Sequence, residues 1–353
     1  MLLTETLPPP ARTAQALLRV LVVGCGNLAG GFDAARDATL PPLTHAGAFS
    51  RHGGFRLLAC VEPDAARRQA FMQRWGVLQG LASLAEVAAA LPPATFDVVS
   101  LCSPTAAHAE QLRAVLALRP RLVFCEKPVS PTLAETADLV RLCAEAGVPL
   151  AVNHTRRWAP DVQRLAEELQ TGAWGAVRSA VGTYNKGVLN NGSHLVDLLH
   201  LLLGPMVLDQ AGAPVADFWP DDPTIPALLH TLNGVPVHLA TAHAGDVAVF
   251  ELQIVTERAV ITMEDGGLNW RVRRVVDSPV FAGYRVLDAG ERRPGDYLQA
   301  TARAAANLHD HLQQGTPLAS NGHSALAAQR LCEAIRRAAT NTEAPRHAVH
   351  ARR

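Results

Sequence analysis

The first half of the chain alternates short, wholly apolar runs with longer amphipathic segments. Residues 17–23 (LLRVLVV) are branched and continuously apolar and end in glycines, the pattern of a strand buried on both faces of a parallel sheet. Runs of the same kind recur at 56–61, 97–102, 122–125 and 148–152. Between them, 64–75, 83–90, 106–118 and 132–146 read as helices. Strands and helices alternating at this spacing predict right-handed crossovers and a doubly wound parallel sheet over residues 17–152.

The pattern then changes. A helix at 161–170, a long strand at 177–184 and a helix at 194–203 lead into strands at 227–232, 236–243, 247–255, 259–264 and 269–276. Short turns such as Asn233-Gly234 and Asp265-Gly266-Gly267 separate some of them, which predicts a meander and a large open, mainly antiparallel sheet. Residues 153–340 are therefore expected to form an α+β substrate-binding and oligomerisation domain, closed by helices at 297–313 and 324–339 that pack back on the first domain. Residues 1–16 are expected to be a tail, and the basic stretch within 341–353 a disordered one.

Composition narrows the class. With 353 residues, 48% of them hydrophobic and 18% charged, the chain reads as a well-buried two-domain protein. Its 32 basic and 32 acidic residues leave no net field to gather nucleic acid. The six cysteines form no C-x-x-C pair, so buried thiols are expected, with neither a disulfide frame nor a metal site. The start lacks a basic segment followed by an apolar core, and no apolar run approaches the roughly 20 residues that span a bilayer. A cytoplasmic protein without a membrane partner is expected.

Candidate chemistry begins after the first strand. Gly24, Gly26, Asn27, Leu28 and Ala29 fit G-x-G-x-x-A, where glycines let the backbone turn tightly and approach a pyrophosphate, as in a Rossmann dinucleotide-binding domain. Glu62 ends the second strand, where a carboxylate accepts hydrogen bonds from the adenosine ribose. It lies 33 residues past Ala29, against a usual gap of about 20, which predicts an insertion over 33–52 bordering the active-site cleft. A carboxylate at 62 repels a 2′-phosphate and favours NAD, while Arg67 and Arg68 leave NADP possible.

Further motifs follow in order: Cys102-Ser103-Pro104-Thr105 with His108, then Glu126-Lys127-Pro128, then Asn153-His154-Thr155-Arg156-Arg157-Trp158, then Gly192-Ser193-His194-Leu195-Val196-Asp197. Together with the glycine turn they resemble the glucose–fructose oxidoreductase / inositol dehydrogenase / rhizopine catabolism family. The resemblance implies cofactor contacts from Ser103, Pro104, Thr105, His108, Glu126 and Lys127, and a homodimer or homotetramer. It also implies sugar, cyclitol or nucleotide-sugar substrates and a cis bond in the Glu126-Lys127-Pro128 element.

Hydride transfer to or from an alcohol carbon needs a group that handles the hydroxyl proton and a donor that stabilises the alkoxide. Lys127, at the carboxyl end of a parallel strand, and His194, at a helix start, are the candidates. Asn190 stands where members with D-x-G-x-H carry an aspartate, so either Asp197 compensates or Lys127 carries more of the proton transfer. Asp197, Arg156, Arg157, Tyr184, Lys186, Asn190 and Asn191 are the expected substrate-binding set, although arginines at such a junction serve equally well as braces. The expected function is an NAD(P)-dependent oxidoreductase acting on a sugar or nucleotide sugar. The alternatives are a redox-neutral enzyme with retained NAD and, last, a non-catalytic dinucleotide-binding scaffold.

Overall fold

A computed structural model describes residues 16–341, and both expected tails lie essentially outside that range. Six parallel strands form the first sheet: β1 (Leu18–Val23), β2 (Phe55–Val61), β3 (Gln79–Leu81), β4 (Val98–Leu101), β5 (Leu122–Cys125) and β6 (Leu150–Val152). Their order is β3-β2-β1-β4-β5-β6, the Rossmann arrangement, with the order of strand addition reversing between β1 and β4. β1, β4, β5 and β6 are buried almost without interruption, as strands covered on both faces must be.

The connecting helices are α1 (His45–His52), α2 (Ala65–Trp75), α3 (Leu84–Ala90), α4 (Thr105–Ala117) and α5 (Leu133–Glu145). Local signals start four of them: the side chains of Thr44, Asp64, Ser83 and Thr132 accept from the backbone N–H three residues on, closing an otherwise orphaned donor.

After α6 (Pro160–Gln170), β7 (Val177–Tyr184) and α7 (Gly192–Leu203), the chain builds a nine-stranded sheet. Its later strands are β8 (Met206–Ala211), β11 (Ala227–Thr231), β12 (Pro236–Thr241), β13 (Phe250–Thr256), β14 (Ala259–Glu264), β15 (Asn269–Asp277), β16 (Arg285–Leu287) and β17 (Glu291–Pro294). A small hairpin, β9 (Val215–Trp219) with β10 (Asp222–Thr224), stands apart. The simple meander expected from the sequence is interrupted, because β7 lies between β12 and β13 and pairs in parallel with β12. The segment after β12 therefore passes beyond β7 before β13 begins, and that passage forms one wall of the site described below. Helices α8 (Ala300–Gln314) and α9 (Gly322–Asn341) close the chain. Gln329 of α9 reaches Thr136 (2.8 Å) and Ser130 (3.1 Å) of the first sheet's layer; one hydrophobic core runs through both sheets and a second is built on the first sheet alone.

Candidate active site

The turn after β1 is shaped for close approach. Gly24 has φ +84°, and a Cβ there would lie 2.7 Å from the Ser103 nitrogen, so only glycine fits. A Cβ on Gly26 would meet nothing within 4 Å, which leaves a bare stretch of backbone for a diphosphate. This geometry fits a dinucleotide. Asn27 and Leu28 are exposed there, and Ala29 is packed beneath.

The long gap to Glu62 has a specific cause. The Leu28 and Ala29 carbonyls accept from His45 N (3.2 Å) and Ala46 N (2.8 Å), so α1 continues a helical turn begun before the insertion. Residues 30–44 are looped out between. The buried Asp33 carboxylate closes the loop by accepting from Leu43 N, Thr44 N (both 2.9 Å) and Thr44 Oγ1 (2.7 Å). Contrary to expectation, this insertion borders the glycine turn, where Gly31 and Ala34 line a cleft with Arg67 and Arg74, and contributes nothing to the cavity beside Lys127.

Glu62 stands at the end of β2 as predicted. Its Oε2 accepts from Cys25 N (3.0 Å), and Arg67 covers Oε1 at 3.2 Å, so the carboxylate braces the turn and keeps lone pairs for further donors. Ser103 and Pro104 back the turn and lead into α4, which starts at Thr105. Two cofactor assignments need correction. His108 is buried, with Nε2 2.8 Å from Ser103 O and Nδ1 3.0 Å from Pro128 O, so it ties two loops together instead of facing a ligand. Glu126 is likewise buried, its Oε1 held by His45 Nε2 (2.9 Å) and Asn153 Nδ2 (2.7 Å).

Lys127 follows β5 through a cis bond to Pro128. Its Nζ donates to both O and Oδ1 of Asn190, each at 2.9 Å, and looks into a cavity of about 570 Å³. Burial lowers its pKa below the ordinary lysine range, with Glu126 and Asp222 opposing and Arg156 adding to the effect. His194 lines the same cavity, its ring 5.5 Å from that of His154. Burial first, then Lys127, His154 and Arg156, hold His194 well below the usual imidazole range, so it is neutral near pH 7.

The turn before α7 is held from below. Asp222 accepts from Leu189 N (2.9 Å) and Asn190 N (2.7 Å), fixing the residue that carries Lys127. Lys186, with φ +63°, Asn191, Asn185, Phe250, Glu251 and Gly266 also line the cavity. Asp222, His45 and Asn153 escaped the sequence reading as site residues. Of these only Asn153 lies within a motif, and nothing local marks it or His45 as a partner of Glu126.

Three substrate assignments fail. Tyr184 is fully buried, its hydroxyl donating to Ile225 O (2.7 Å) and accepting from Ile225 N (3.1 Å), because β7 turns it into the core. Asp197 binds Arg157 Nε through both oxygens (2.8 and 2.7 Å) and makes no hydrogen bond to His194 among the described residues. Arg157 is thereby spent as a brace. Asp197 also lies 3.7 Å from Nδ1 of the buried His154, neither of whose ring nitrogens has a hydrogen-bond partner among the described residues. Arg156 behaves differently: its guanidinium lies 3.6 Å over Phe250 and 4.9 Å from the Tyr297 ring, and only Nε is engaged, on Gly266 O (3.0 Å). Burial lowers its pKa from the ordinary arginine value. Among the described residues no cluster of side chains has the makings of a metal site.

Residues 18–154 match the sequence model described as an oxidoreductase family with an NAD-binding Rossmann fold, Gfo/Idh/MocA. This stretch belongs to that family. D-apiose dehydrogenase of Paraburkholderia graminis is 29% identical over 168 residues, 43% of this chain and 44% of that protein. Inositol 2-dehydrogenase of Streptomyces avermitilis is 30% identical over 200 residues, 53% of this chain and 54% of that one. The chain thus spans about half the length of these curated relatives, or less. The fold likeness reaches further. The WlbA dehydrogenase of Bordetella pertussis, solved with NADH and UDP-GlcNAcA, superposes with a TM-score of 0.72 at 19% identity, covering 92% of this chain and 97% of that one. The chain therefore shares the whole two-sheet architecture with that dehydrogenase.

Proposed function

We propose that this protein is an NAD(P)-dependent oxidoreductase that moves a hydride between a sugar or nucleotide-sugar carbon and the nicotinamide. The observation that carries the reading is the Lys127 ammonium. Two of its donors are fixed on Asn190, its pKa is lowered by burial, and its third donor is left to a polar cavity at the carboxyl end of the parallel sheet.

When bound, the nicotinamide supplies the hydride acceptor in oxidation and the donor in reduction. The glycine turn, with Glu62 beside it, would hold the dinucleotide, and the Ser103-Pro104-Thr105 element and Lys127 would flank it. In oxidation, Lys127 as the amine takes the hydroxyl proton. In reduction, the ammonium returns a proton to the forming alkoxide. Neutral His194 accepts or donates a hydrogen bond to the same hydroxyl and orients it. The amide of Asn190 holds Lys127 without adding charge, which supports Lys127 as the proton carrier. Lys186, Asn190 and Asn191 are the remaining candidates for substrate hydroxyls.

Glu62 disfavours a 2′-phosphate, so NAD is the preferred cofactor. The outer face of the nine-stranded sheet exposes Val181, Val207 and Leu228, and it is the surface proposed to pair subunits in a homodimer or homotetramer, which light scattering at micromolar concentration tests. All six cysteines are free thiols, and no helix among the described residues is long and apolar enough to cross a membrane, which supports a cytoplasmic location.

The deciding experiment strips the protein of dinucleotide, identifies what is released by mass spectrometry, and screens sugars and nucleotide sugars for NADH formation. Dinucleotide binding with NADH formation supports the proposal. Product without net NADH, from protein that retains its dinucleotide, reassigns the enzyme as redox-neutral. Failure to bind either dinucleotide overturns it.

A further inference from the structure

Adjacent arginines at 156 and 157 have opposite fates. Arg157 is neutralised by the buried Asp197 carboxylate at 2.7 Å. Arg156 pairs with no carboxylate among the described residues. Asp265, whose backbone lies on the same wall, is taken by Arg292 Nη2 (3.0 Å) and Asn269 Nδ2 (2.9 Å), and Glu251 forms no ion pair with it. Phe250 and Tyr297 clamp the Arg156 guanidinium, the Gly266 carbonyl orients it through Nε, and its two Nη groups have no partner among the described residues. A side chain on Gly266 would come within 3.0 Å of Nη2, so the absence of a Cβ there keeps the fork clear. Phe250 and Gly266 both line the cavity that holds Lys127 and His194.

A planar guanidinium immobilised on aromatic rings with its fork free is suited to bind two oxygens of one anion. It lies within electrostatic reach of Lys127 and His194, whose proton affinity it lowers. A cation left uncompensated in such a place is costly unless a ligand supplies the opposite charge.

We propose that Arg156 is an anion-binding subsite of this cavity, and that the substrate is a sugar bearing a carboxylate or phosphate near the reacting carbon. The assignment rests on the sugar-oxidoreductase reading, yet the presence of the anion site can be measured without turnover. Because the protein is kept loaded with NAD, an anion occupying the dinucleotide turn does not confuse the result.

The test measures calorimetric binding of D-glucuronate, D-glucose 6-phosphate and D-glucose to the NAD-loaded protein. Melting shifts with sodium oxalate and sodium phosphate, against sodium chloride at equal ionic strength, are read alongside. The wild type should bind one of the anionic sugars at least about 10-fold more tightly than glucose, and whether it is the uronate or the phosphate identifies the group. Arg156→Gln should abolish that preference and the melting shifts, while Arg156→Lys should retain part of both. An anion-dependent shift that vanishes in Arg156→Gln upholds the subsite even if none of these sugars binds, in which case only the sugar reading suffers. Equal affinity for glucose and the anionic sugars, or an anion response that survives Arg156→Gln in folded protein, overturns the proposal.

Discussion

Lys127 Nζ lies 2.9 Å from both the carbonyl oxygen and the side-chain oxygen of Asn190, and that amide, not a carboxylate, is its fixed partner. Opposite charge at such a distance favours the ammonium, whereas an amide binds it without the Coulombic gain. Asn190→Asp should therefore raise the Lys127 pKa, moving the alkaline-rising limb of the oxidation rate up by about 1 pH unit or more. Turnover near neutral pH should fall by about 10-fold for each unit of that shift. The check is the pH profile of kcat for oxidation. A limb that stays in place would remove Lys127 as the titrating base.

Gly26 separates binding from folding. A Cβ there meets no protein atom within 4 Å, so Gly26→Val should leave the melting temperature of the dinucleotide-free protein within a few degrees of wild type. The added side chain fills the space where a diphosphate would approach the backbone, and NAD affinity should drop by more than about 10-fold. Calorimetric titration of NAD into both proteins decides this. Unchanged affinity would place the dinucleotide elsewhere.

Much of this arrangement is legible in the sequence because it depends on local chemistry. The buried strands, the glycine turn and the helix starts at Asp64, Ser83 and Thr132 are written in neighbouring residues, and each appears where the pattern predicts. What fails depends on direction across the fold. Asp197 and His194 are three residues apart on one helix, a spacing compatible with contact, yet the Arg157 guanidinium beneath the helix claims the carboxylate. Tyr184 sits among polar neighbours in sequence, but strand alternation turns it inward. The looped-out segment 30–44 shows in the sequence only as an overlong gap between Ala29 and Glu62. That its closing residues bring His45 onto Glu126, 81 positions away, had no local sign.

Glu62 and Arg67 set the cofactor preference between them, since Arg67 Nη1 lies 3.2 Å from the carboxylate that would face the ribose. Glu62→Ser removes the charge opposed to a 2′-phosphate and frees Arg67 to meet it. The ratio of NAD to NADP affinity should fall by about 10-fold or more, on the scale of about 1.4 kcal/mol per tenfold change. Fluorescence titration with both reduced cofactors measures it. Retention of the wild-type ratio would mean that Glu62 serves only to brace the Cys25 turn.

The buried His45–Glu126 pair ties α1 to the end of β5, just before Lys127. His45 Nε2 lies 2.9 Å from Glu126 Oε1, its Nδ1 is 2.7 Å from Ser100 Oγ, and its ring stacks on Phe124 at 4.4 Å. Burial by itself would push the imidazole down, but the Cys102 sulfur and the Glu126 carboxylate outweigh it and raise the pKa from 6.5 to about 10. Glu126 is shifted the other way: burial raises it, and hydrogen bonds and charge from His45, with Asn153 and Lys127, bring it below its usual 4.5. A histidine raised on folding contributes its full stabilisation below pH 6.5 and loses it as the pH climbs towards about 10. A carboxylate lowered on folding contributes above pH 4.5 and loses its share as the pH falls. The pair is thus strongest between these limits. His45→Gln should cost about 3 kcal/mol near pH 6, because it strands a buried carboxylate. The melting-temperature gap between wild type and variant should then narrow steadily from pH 6.5 towards 10. Scanning calorimetry of both proteins across that range tests the sign. A gap that stays constant would mean that His45 is neutral in the folded protein and holds Glu126 by hydrogen bonding alone.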